Sequence, residues 1–506
     1  MRSGGCRPLD GYCSATILIN YLNKVFDKQM SIQWRVHEGK EHGLIVDTIP
    51  NDVDIVFSPD AGSNQYEEHK QLKESGIDVI VLDHHECEKE SADAIVVNNQ
   101  LSPDYHNKSL VGSGIVYKYI KAIDEKLGIS HADYYLDLVA VGLIGDMADL
   151  KELETRYYVN KGLTQINNPL LKALYEKQSF STKGVINVIN TQFYICPLIN
   201  AAIRTGNMQE KLQMMKAFLG SKELVFNSRK EESEDIQTAT ARMLGNIKNR
   251  QGKLRDKGIA LIEKRIEDKN LLNNKVLIVN VTDILDKNLT GLVANALAKS
   301  KRRPVLLVRY DEEEGVMRGS ARGYDKGVIK DFKAFLNNTD KFNYCEGHAN
   351  AFGVSIQVEK LIEANELINE LLRDVEIDID VYEVDFIIPA NQLSKSFINE
   401  IYQYLHLWGY KVEEPLIAIK EIEINSDQIH LIGSKKNTLK FTYEGIEYIK
   451  FFSSEEEWES LINKGERLVI DVVGKCSINE YRGKITPQIV IEDYEVVKTK
   501  KKEWVF

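Results

Sequence analysis

The stretches VDIVFSPDAG (residues 53–62) and IDVIVLDHHE (residues 77–86) decide the fold, because in each a short apolar run ends at an acidic residue. A third apolar run covers Ala94–Val97, and an amphipathic segment, Gln65–Ser75, separates the first two. Short apolar runs that alternate with helical segments are typical of a parallel sheet covered on both faces. The sequence therefore predicts an α/β fold in this part of the chain.

The acidic residues at the strand ends predict a site. Asp60 and Asp83 should lie side by side, because sites in open α/β sheets form outside the carboxyl ends of the strands. Asp10 precedes a predicted helix, and Asp146 lies in an apolar segment of helical pattern, where a lone carboxylate would be costly. Taken singly, such residues are more often turn residues or helix caps. Their occurrence together is harder to explain by structure alone.

Metal ions would explain this set of residues. Four carboxylates beside the pair His84 and His85 would repel one another unless cations were present. Two divalent ions would balance the four aspartates, and oxygen ligands with imidazole suit manganese or magnesium better than a thiol-seeking metal. A pair of such ions can activate water in a phosphoryl displacement.

The composition is that of a folded chain and limits its partners. The 506 residues predict about three domains. The net charge of -11 excludes a uniformly positive nucleic-acid-binding surface, although a local basic groove stays open. Six cysteines without a C-x-x-C pair favour reduced thiols in a cytoplasmic protein. We expect no membrane partner and no secretory signal, since neither an apolar run of about 18 residues nor an apolar leader occurs.

The pattern along the chain predicts several parts. Glu223–Asn249 is charged, rich in alanine and free of proline, which predicts a long connector helix. Strand-like and helical runs then alternate between 275 and 309, and long β-rich runs begin at about 416. The predicted parts are an α/β domain at 1–225, the connector helix at 226–255, a second α/β domain at 256–375, a helical linker at 376–415, an all-β, partly open barrel at 416–498 and a basic tail at 499–506.

The ordered motifs resemble those of the DHH phosphoesterase superfamily, and most closely those of the RecJ single-strand DNA exonucleases. Asp10-Gly11, Asp60, VLDHHE and GLIGDMADL resemble the four motifs of the first domain. The segment PLINAAIR also has a RecJ counterpart, and RGSARG and EGHANAFG resemble the accessory DHHA1 domain. The segment NEYRGKITPQIVIEDYE resembles the last strands of the RecJ OB domain. The resemblance covers nearly the whole chain.

The resemblance implies a 5′-to-3′ exonuclease that hydrolyses phosphodiester bonds of single-stranded DNA by two-metal activation of water. The implied cofactor is two manganese ions, with magnesium as the alternative, and the implied protein partner is a single-strand-binding protein or a helicase. The implied metal ligands are Asp10, Asp60, His84 and Asp146, with Asp83 as a ligand or a neighbour of the ligands. His85, with Asp83, would face the scissile phosphate. The implied DNA contacts are Arg204, Ser320, Arg322, Gly347, His348, Tyr481 and Arg482. DNA repair, recombination and phage DNA metabolism all stay open as pathways.

The β-rich module carries aromatic residues interleaved with basic ones, as in OB-folds that hold single strands. The aromatic residues are Phe441, Tyr443, Tyr448, Phe451, Phe452 and Tyr481, and the basic ones are Lys440, Lys450, Lys475, Arg482 and Lys484. The alternative for each aromatic residue is a place in the barrel core.

The first motif departs from the family pattern. The family has a His and several Asp residues in H-G-D-Y-D-A-D-G, whereas GGCRPLDG at 4–11 keeps only Asp10 and Gly11 and has Gly4, Cys6 and Pro8 at ligand positions. Three hypotheses stay open: an altered or misread N-terminus, which we favour, one weakened metal site, or a non-catalytic single-strand-binding relative. A phosphoesterase of short oligonucleotides is a further alternative, which the β-rich module disfavours.

Overall fold

A parallel three-stranded sheet forms at the predicted place. The computed structural model describes residues 8–27, 29–38, 43–377, 380–434, 436–481 and 483–500. Helix α1 (Pro8–Val25) opens the described chain, and strand β1 (Ile55–Pro59), helix α2 (Tyr66–Glu74), strand β2 (Asp78–Asp83) and strand β3 (Ile95–Asn98) follow. The strands pair in the order β1-β2-β3, all parallel. The prediction of a parallel α/β sheet is therefore confirmed.

Helices follow the sheet and carry the chain to a long helix. They are α3 (Gly112–Leu127), α4 (Leu136–Gly145), α5 (Leu153–Leu163), α6 (Pro169–Lys177), α7 (Ser179–Thr182), α8 (Val188–Asn190), α9 (Cys196–Thr205) and α10 (Met208–Phe218). A hairpin of β4 (Leu224–Asn227) and β5 (Glu232–Asp235) precedes helix α11 (Ile236–Asp268). The long helix thus begins ten residues after the predicted start of 226, because 224–235 pairs as a hairpin and the Asp235 side chain caps the helix at the Thr238 N–H.

The second α/β sheet is mixed. It consists of β6 (Leu277–Asn280), β7 (Val305–Asp311), β8 (Val316–Arg322), β9 (Tyr344–His348) and β10 (Ala351–Gln357), with helices α12 (Thr290–Lys301), α13 (Phe332–Asn337) and α14 (Lys360–Leu371). The order is β6-β7-β8-β10-β9, and only the pair β6 and β7 is parallel. Apolar clusters form on both sides of this sheet, one around Phe332 and Val354 and one around Val279 and Val293.

The chain divides into two compact units, Met1–Asp380 and Val381–Phe506. The second unit holds β11 (Phe386–Pro389), α15 (Lys395–Gln403), β12 (Ile417–Asn425), β13 (His430–Ile432), β14 (Thr438–Tyr443), β15 (Ile446–Phe451), α16 (Glu455–Ile462), β16 (Arg467–Tyr481) and β17 (Lys484–Lys500). One sheet contains all these strands, in the order β11-β12-β16-β17-β15-β14-β13. The prediction of an all-β C-terminal module is confirmed.

The segment predicted to be a helical linker, 376–415, differs from the prediction. Its apolar run 386–389 forms β11, which pairs in parallel with β12, and α15 packs Ile398 into the same core. The apolar run is too short for a helix and ends at Pro389, and its strand partner lies about 30 residues further along the chain.

The predicted basic tail overlaps β17 at 499–500, and its residues 501–506 lie outside the described part. No helix of the described residues is both long and apolar enough for a membrane span.

Candidate metal centre

The carboxyl edge of the first sheet brings Asp60 and Asp83 together. Asp83 is the last residue of β2, and Asp60 directly follows β1, where its N–H donates to the Leu82 carbonyl at 2.8 Å. Asp60 has a left-handed backbone with φ of 63°, a conformation that aspartate and asparagine adopt more readily than most residues. This turn directs the chain away from the sheet and leaves the carboxylate at its edge.

Two histidines complete a close group at this edge. Donor atoms of Asp60, Asp83, His84 and His85 all lie within 4.8 Å of one another. His84 Nε2 lies 3.2 Å from Asp60 Oδ1 and 3.9 Å from Asp146 Oδ2. Asp146 caps the C-terminus of α4 and is partly exposed, so it is not the fully buried helical residue that its apolar segment suggested. The structure therefore unites residues separated by more than 80 positions in sequence.

Asp10 joins the group from the first turn of α1. It is fully buried, and both of its carboxylate oxygens accept from the Ser113 N–H at 3.2 Å. Burial raises the pKa of Asp10 to about 7, and the charge of Asp60 adds to the rise. Two carboxylates that oppose each other in this way are typical of a site for cations.

Gly112 lets Asp10 and Asp60 approach each other. A Cβ atom there would lie 2.5 Å from Asp60 Oδ1 and 2.9 Å from Asp10 Oδ2. Gly142 makes room for Asp10 and Ser113, since a Cβ atom there would lie 2.4 Å from Asp10 Oδ1 and 2.2 Å from Ser113 Oγ. Sequence reasoning missed Gly112 and Ser113 and noted Gly142 only as the first residue of GLIGDMADL. The available signal was VGSG at 111–114, a glycine-rich start of a helix after an apolar residue.

The Asp83 carboxylate holds the two histidines in place. Its Oδ1 accepts from the N–H groups of His84 and His85 and lies 2.6 Å from His85 Nδ1, while its Oδ2 accepts from the Ser63 N–H. Burial acts to lower the pKa of His85, but the hydrogen bond and charge of Asp83 outweigh it and raise this pKa to about 9. Burial acts in the opposite sense on Asp83, and His85 again outweighs it, so the pKa of Asp83 lies below its ordinary value. The raised pKa favours the protonated form of His85 beside the Asp83 carboxylate.

The donor set fits a hard divalent cation. It consists of carboxylate oxygens and imidazole nitrogen, which suit manganese and magnesium, and the cysteine of the adjacent segment, Cys87, is not among its donors. The close approach of Asp10 and Asp60 also fits, because a cation would offset their mutual repulsion. The predicted positions Gly4 and Cys6 of the first motif lie outside the described residues, as does the side chain of Pro8.

The predicted phosphate contacts of the second sheet lie at one end of it. Arg322 and His348 both pair with Ala351, from opposite sides of β10, so their side chains are on the same face of the sheet. Ser320 lies two residues before Arg322 on that face and contacts the Thr290 hydroxyl at 3.0 Å. Gly347 has φ of 134°, and a Cβ atom there would meet the Ala351 carbonyl at 2.8 Å, so this position requires glycine. Arg204 is exposed in the last turn of α9.

The aromatic residues of the second unit divide into two groups. Phe441 and Tyr448 are buried and stack with ring centroids 4.9 Å apart, so they belong to the core. Phe451 and Phe452 are 48% and 90% exposed. Tyr443 is half-buried.

Three of the basic residues have acidic partners. Lys440 pairs with Glu447 and Lys450 with Glu457, each at 2.7 Å. Lys475 lies 3.9 Å from Glu414. Arg482 and the side chain of Tyr481 lie outside the described residues, and Lys484 is exposed in β17.

Two family models match the chain. The model described as "DHH family, N-terminal domain" matches residues 7–143, and the model described as "RecJ OB domain" matches residues 384–493. These segments contain Asp10, Asp60 and Asp83 and most of the second unit, whereas Asp146 lies just after the first match. The matches confirm the resemblance noted in the sequence.

Relatives match nearly the whole chain. The putative SPbeta prophage-derived single-strand DNA-specific exonuclease YorK of Bacillus subtilis (strain 168) is 53% identical over 505 residues, which are 98% of this chain and 88% of the relative. The single-stranded-DNA-specific exonuclease RecJ of the same organism is 26% identical over 96% of this chain and 60% of its own length. The crystal structure of RecJ in complex with Mn2+ from Thermus thermophilus has a TM-score of 0.71 at 20% identity, over 99% of this chain and 69% of that chain. The structural match shows that the fold is shared.

Proposed function

Because the chain belongs to the RecJ-like branch of the DHH superfamily, we propose that it is a metal-dependent exonuclease that degrades single-stranded DNA in the 5′-to-3′ direction. The observation that carries the proposal is the group formed by Asp60, Asp83, His84 and His85, whose donor atoms lie within 4.8 Å of one another. The names of the relatives support single-stranded DNA as the substrate. The polarity rests on the family resemblance.

The proposed ligands of the cations are Asp10, Asp60, His84 and Asp146. His84 Nε2 already lies within 4 Å of both Asp60 and Asp146, and Asp10 is held next to Asp60 by the Ser113 N–H. Divalent cations at these residues, manganese or magnesium, would polarise a phosphoryl oxygen and make water a better nucleophile at neutral pH. Two cations are expected from the four carboxylates. The T. thermophilus RecJ structures with Mn2+ and with Mg2+ support this choice of metals.

His85 and Asp83 have separate proposed roles. Asp83 directs most of its hydrogen bonds to the two histidines and to Ser63, so we assign it to orienting them rather than to open coordination. Asp83 also keeps His85 protonated, as the raised pKa of His85 indicates. A positive imidazolium next to the carboxylates would bind the scissile phosphate and stabilise the charge that develops on it. His85 is thus the proposed catalytic cation of the chain itself.

The remaining parts would hold the DNA strand. We propose that Ser320, Arg322, Gly347 and His348, in an accessory domain at 256–375, bind a phosphate of the strand, because they share one end of the second sheet. Arginine offers a bidentate fork to phosphate, and Gly347 lets the backbone come close to it. The OB unit would hold the strand further along, with Tyr481 and Arg482 in its long hairpin and Arg204 in the first domain as further proposed contacts. A single-strand-binding protein or helicase stays a proposed partner.

Cleavage of end-labelled single strands tests the proposal. Oligonucleotides labelled at the 5′ or the 3′ end are incubated with the chain and Mn2+, and each product ladder gives the polarity. Asp60→Asn and His84→Ala should lose at least about 100-fold in rate, since each removes a metal ligand. His85→Ala should lose a similar factor while Mn2+ affinity, measured by calorimetry, changes less than in His84→Ala. Asp104→Asn and His106→Ala, which alter the same residue types in a nearby loop, are the matched controls.

The outcome distinguishes the alternatives. Full activity of Asp60→Asn and His84→Ala would refute the assigned site. Salt-sensitive binding of single strands without cleavage in Mn2+ would identify a non-catalytic relative, one of the three hypotheses that the departures at Gly4, Cys6 and Pro8 leave open. Faster turnover of dinucleotides than of long strands would identify a phosphoesterase of short oligonucleotides.

A further inference from the structure

Three consecutive amide side chains at the end of β3 hydrogen-bond to several loops of the metal centre. Asn98, Asn99 and Gln100, the amide triplet, begin at the carboxyl end of that strand. None of the three residues is a proposed metal ligand, and Asn98 and Asn99 are each only 2% exposed. A buried run of amides needs hydrogen-bond partners, and the identity of those partners indicates what the run does.

Asn98 and Gln100 hold the two histidines through their main chain. Asn98 Nδ2 donates to the His85 carbonyl at 2.9 Å, and Gln100 Nε2 donates to the His84 carbonyl at 3.2 Å. The Asn98 Oδ1 accepts from the Gln100 N–H at 2.7 Å, which fixes the orientation of the Asn98 amide. Two successive peptide groups are thereby fixed, so the backbone from which both imidazole rings extend is held in place.

Asn98 also reaches the loop that carries Asp60. Its Nδ2 donates to the Ser63 hydroxyl at 2.8 Å, three residues after Asp60. The Ser63 N–H in turn donates to Asp83 Oδ2 at 3.1 Å. One amide group therefore links the loops after β1, β2 and β3 at the edge where the carboxylates converge.

Asn99 holds the segment that supports Asp10 and Asp146. Its Nδ2 donates to the carbonyls of Asn107 and Leu110, at 3.1 Å and 2.9 Å, just before the Ser113 N–H that binds Asp10. The Ser109 hydroxyl of the same segment accepts from the N–H of Asp149, three residues after Asp146. The chain that carries all four proposed ligands is thus braced, directly or through one loop, by the amide triplet.

We propose that the amide triplet is a positioning device for the metal centre: it sets the spacing of the ligand loops so that Asp10, Asp60, His84 and Asp146 bind divalent cations together. This inference rests on the proposed metal-dependent function. Partners that orient metal ligands typically change metal affinity 10–100-fold when they are removed, although they do not touch the metal. The hydrogen bonds of Asn98, Asn99 and Gln100 are of that kind.

The test compares Mn2+ binding by Asn98→Ala and Gln100→Ala with binding by Asn64→Ala. Asn64 is the matched control, because its Nδ2 also donates to a carbonyl of the histidine loop, that of Glu86, at 2.8 Å, but beyond the two histidines. The dissociation constant for Mn2+, from calorimetry, should rise about 10-fold or more in the first two variants and less than about 2-fold in the control. Melting temperatures are also measured in chelator and in Mn2+. A merely structural role lowers both temperatures alike, whereas a positioning role reduces the difference between them.

Each outcome decides the matter. Mn2+ binding by the variants within about 2-fold of the unsubstituted chain, with the same metal-induced rise in melting temperature, overturns this inference alone. Absence of Mn2+ binding by the unsubstituted chain overturns the proposed function and this inference with it. If Asn98→Ala does not fold, Gln100→Ala, whose side chain is only half-buried, decides the question.

Discussion

At the scale of single residues, the metal centre requires glycine at two positions, because the missing Cβ atom leaves room for the carboxylates. Gly112 faces Asp60 and Asp10 from the start of α3, and Gly142 faces Asp10 from α4. A Cβ atom at Gly112 would occupy the space where the two carboxylates meet, and a Cβ atom at Gly142 would clash with Asp10 and Ser113. The distance between the proposed ligands is therefore set by their neighbours as much as by their own backbone.

Gly112→Ala should weaken Mn2+ binding about 10-fold or more without unfolding the chain. Its Cβ atom would lie 2.7 Å from the Cβ atom of Asp60, so the carboxylates would have to move apart. Calorimetry with Mn2+ measures the effect. Gly252→Ala is the control, because nothing lies within 4 Å of its added Cβ atom in α11. The control should keep Mn2+ affinity and gain about 0.5–1 kcal/mol in the free energy of unfolding; equal Mn2+ affinity of both variants would contradict the prediction.

The candidate site could be predicted in part from the sequence. Asp60 and Asp83 were found because apolar runs of strand length end at them, and this pattern is local. Asp10 and Asp146 came from the resemblance as well as from the residues around them. Gly112, Ser113 and the amide triplet were missed, because their importance comes from contacts with residues 8 to 103 positions away in the chain, which no local pattern contains.

At the scale of elements, one carboxylate fastens the loop before α3 to two helices. Glu154 in α5 accepts from Lys118 Nζ at 2.7 Å, from Asn107 Nδ2 at 3.1 Å and from the hydroxyls of Tyr105 and Tyr158. Burial acts to raise the pKa of Glu154, but these hydrogen bonds, with that of Lys118 the largest, outweigh it and lower the pKa. The loop that carries Asn107 is thus held by an ionised group.

Glu154→Gln should lower the free energy of unfolding by about 2 kcal/mol at pH 7. The native pKa of Glu154 lies below the ordinary 4.5, so its ionised form stabilises the fold above about pH 4.5 and this contribution is lost as the pH falls through the native pKa. The difference between the two proteins should therefore shrink below pH 4.5. Urea unfolding at several pH values measures it, with exposed Glu125→Gln in α3 as the control. A difference that does not change with pH would speak against the assignment.

In and just after the β14–β15 hairpin, exposure separates the aromatic residues of the core from those that could contact DNA. Phe452→Ala should weaken binding of single-stranded DNA by about 1–3 kcal/mol if this ring stacks on a base, and leave the melting temperature unchanged. Phe441→Ala, in the core of the same hairpin, should instead lower the free energy of unfolding by about 3–5 kcal/mol. Fluorescence anisotropy with a labelled strand measures the first effect and thermal unfolding the second. Unchanged DNA affinity of Phe452→Ala would remove this residue from the DNA surface.

The elements that sequence patterns missed are short strands, or strands whose pairing partner is distant in the chain. The hairpin of β4 and β5 lies in charged sequence and was taken for the first turns of α11, because ESED has no strand pattern until it pairs with LVFN. Strand β11 depends on β12, from which a helix separates it in the chain. Strand β2 was located to within a residue or two, and β6, α12 and β7 lie where strand-like and helical runs were predicted to alternate, between 275 and 309.

At the scale of the whole molecule, the second unit has a core of its own. Buried residues from Ala390 to Ile491 form one apolar cluster, and Ala390, Leu393 and Ile398 of this cluster precede the β-rich runs recognised in the sequence. The residues before 416 therefore complete the core of this unit.

A fragment of residues 381–506 should unfold cooperatively by itself, whereas a fragment that starts at 416 should melt at a lower temperature or not fold. The shorter fragment lacks β11, α15 and three buried residues of the core. Circular dichroism during heating distinguishes the two fragments. Equal melting temperatures would show that β11 and α15 contribute nothing to this unit.

The left-handed turn at Asp60 limits which residues evolution can place there. β-branched or bulky side chains are strained at such a φ, whereas asparagine and glycine adopt it with little strain. A lineage that gave up this chemistry would therefore be expected to drift first to asparagine or glycine at this position and to keep its shape. Such relatives would keep the fold, and an asparagine or glycine at position 60 would be the mark of their lost activity.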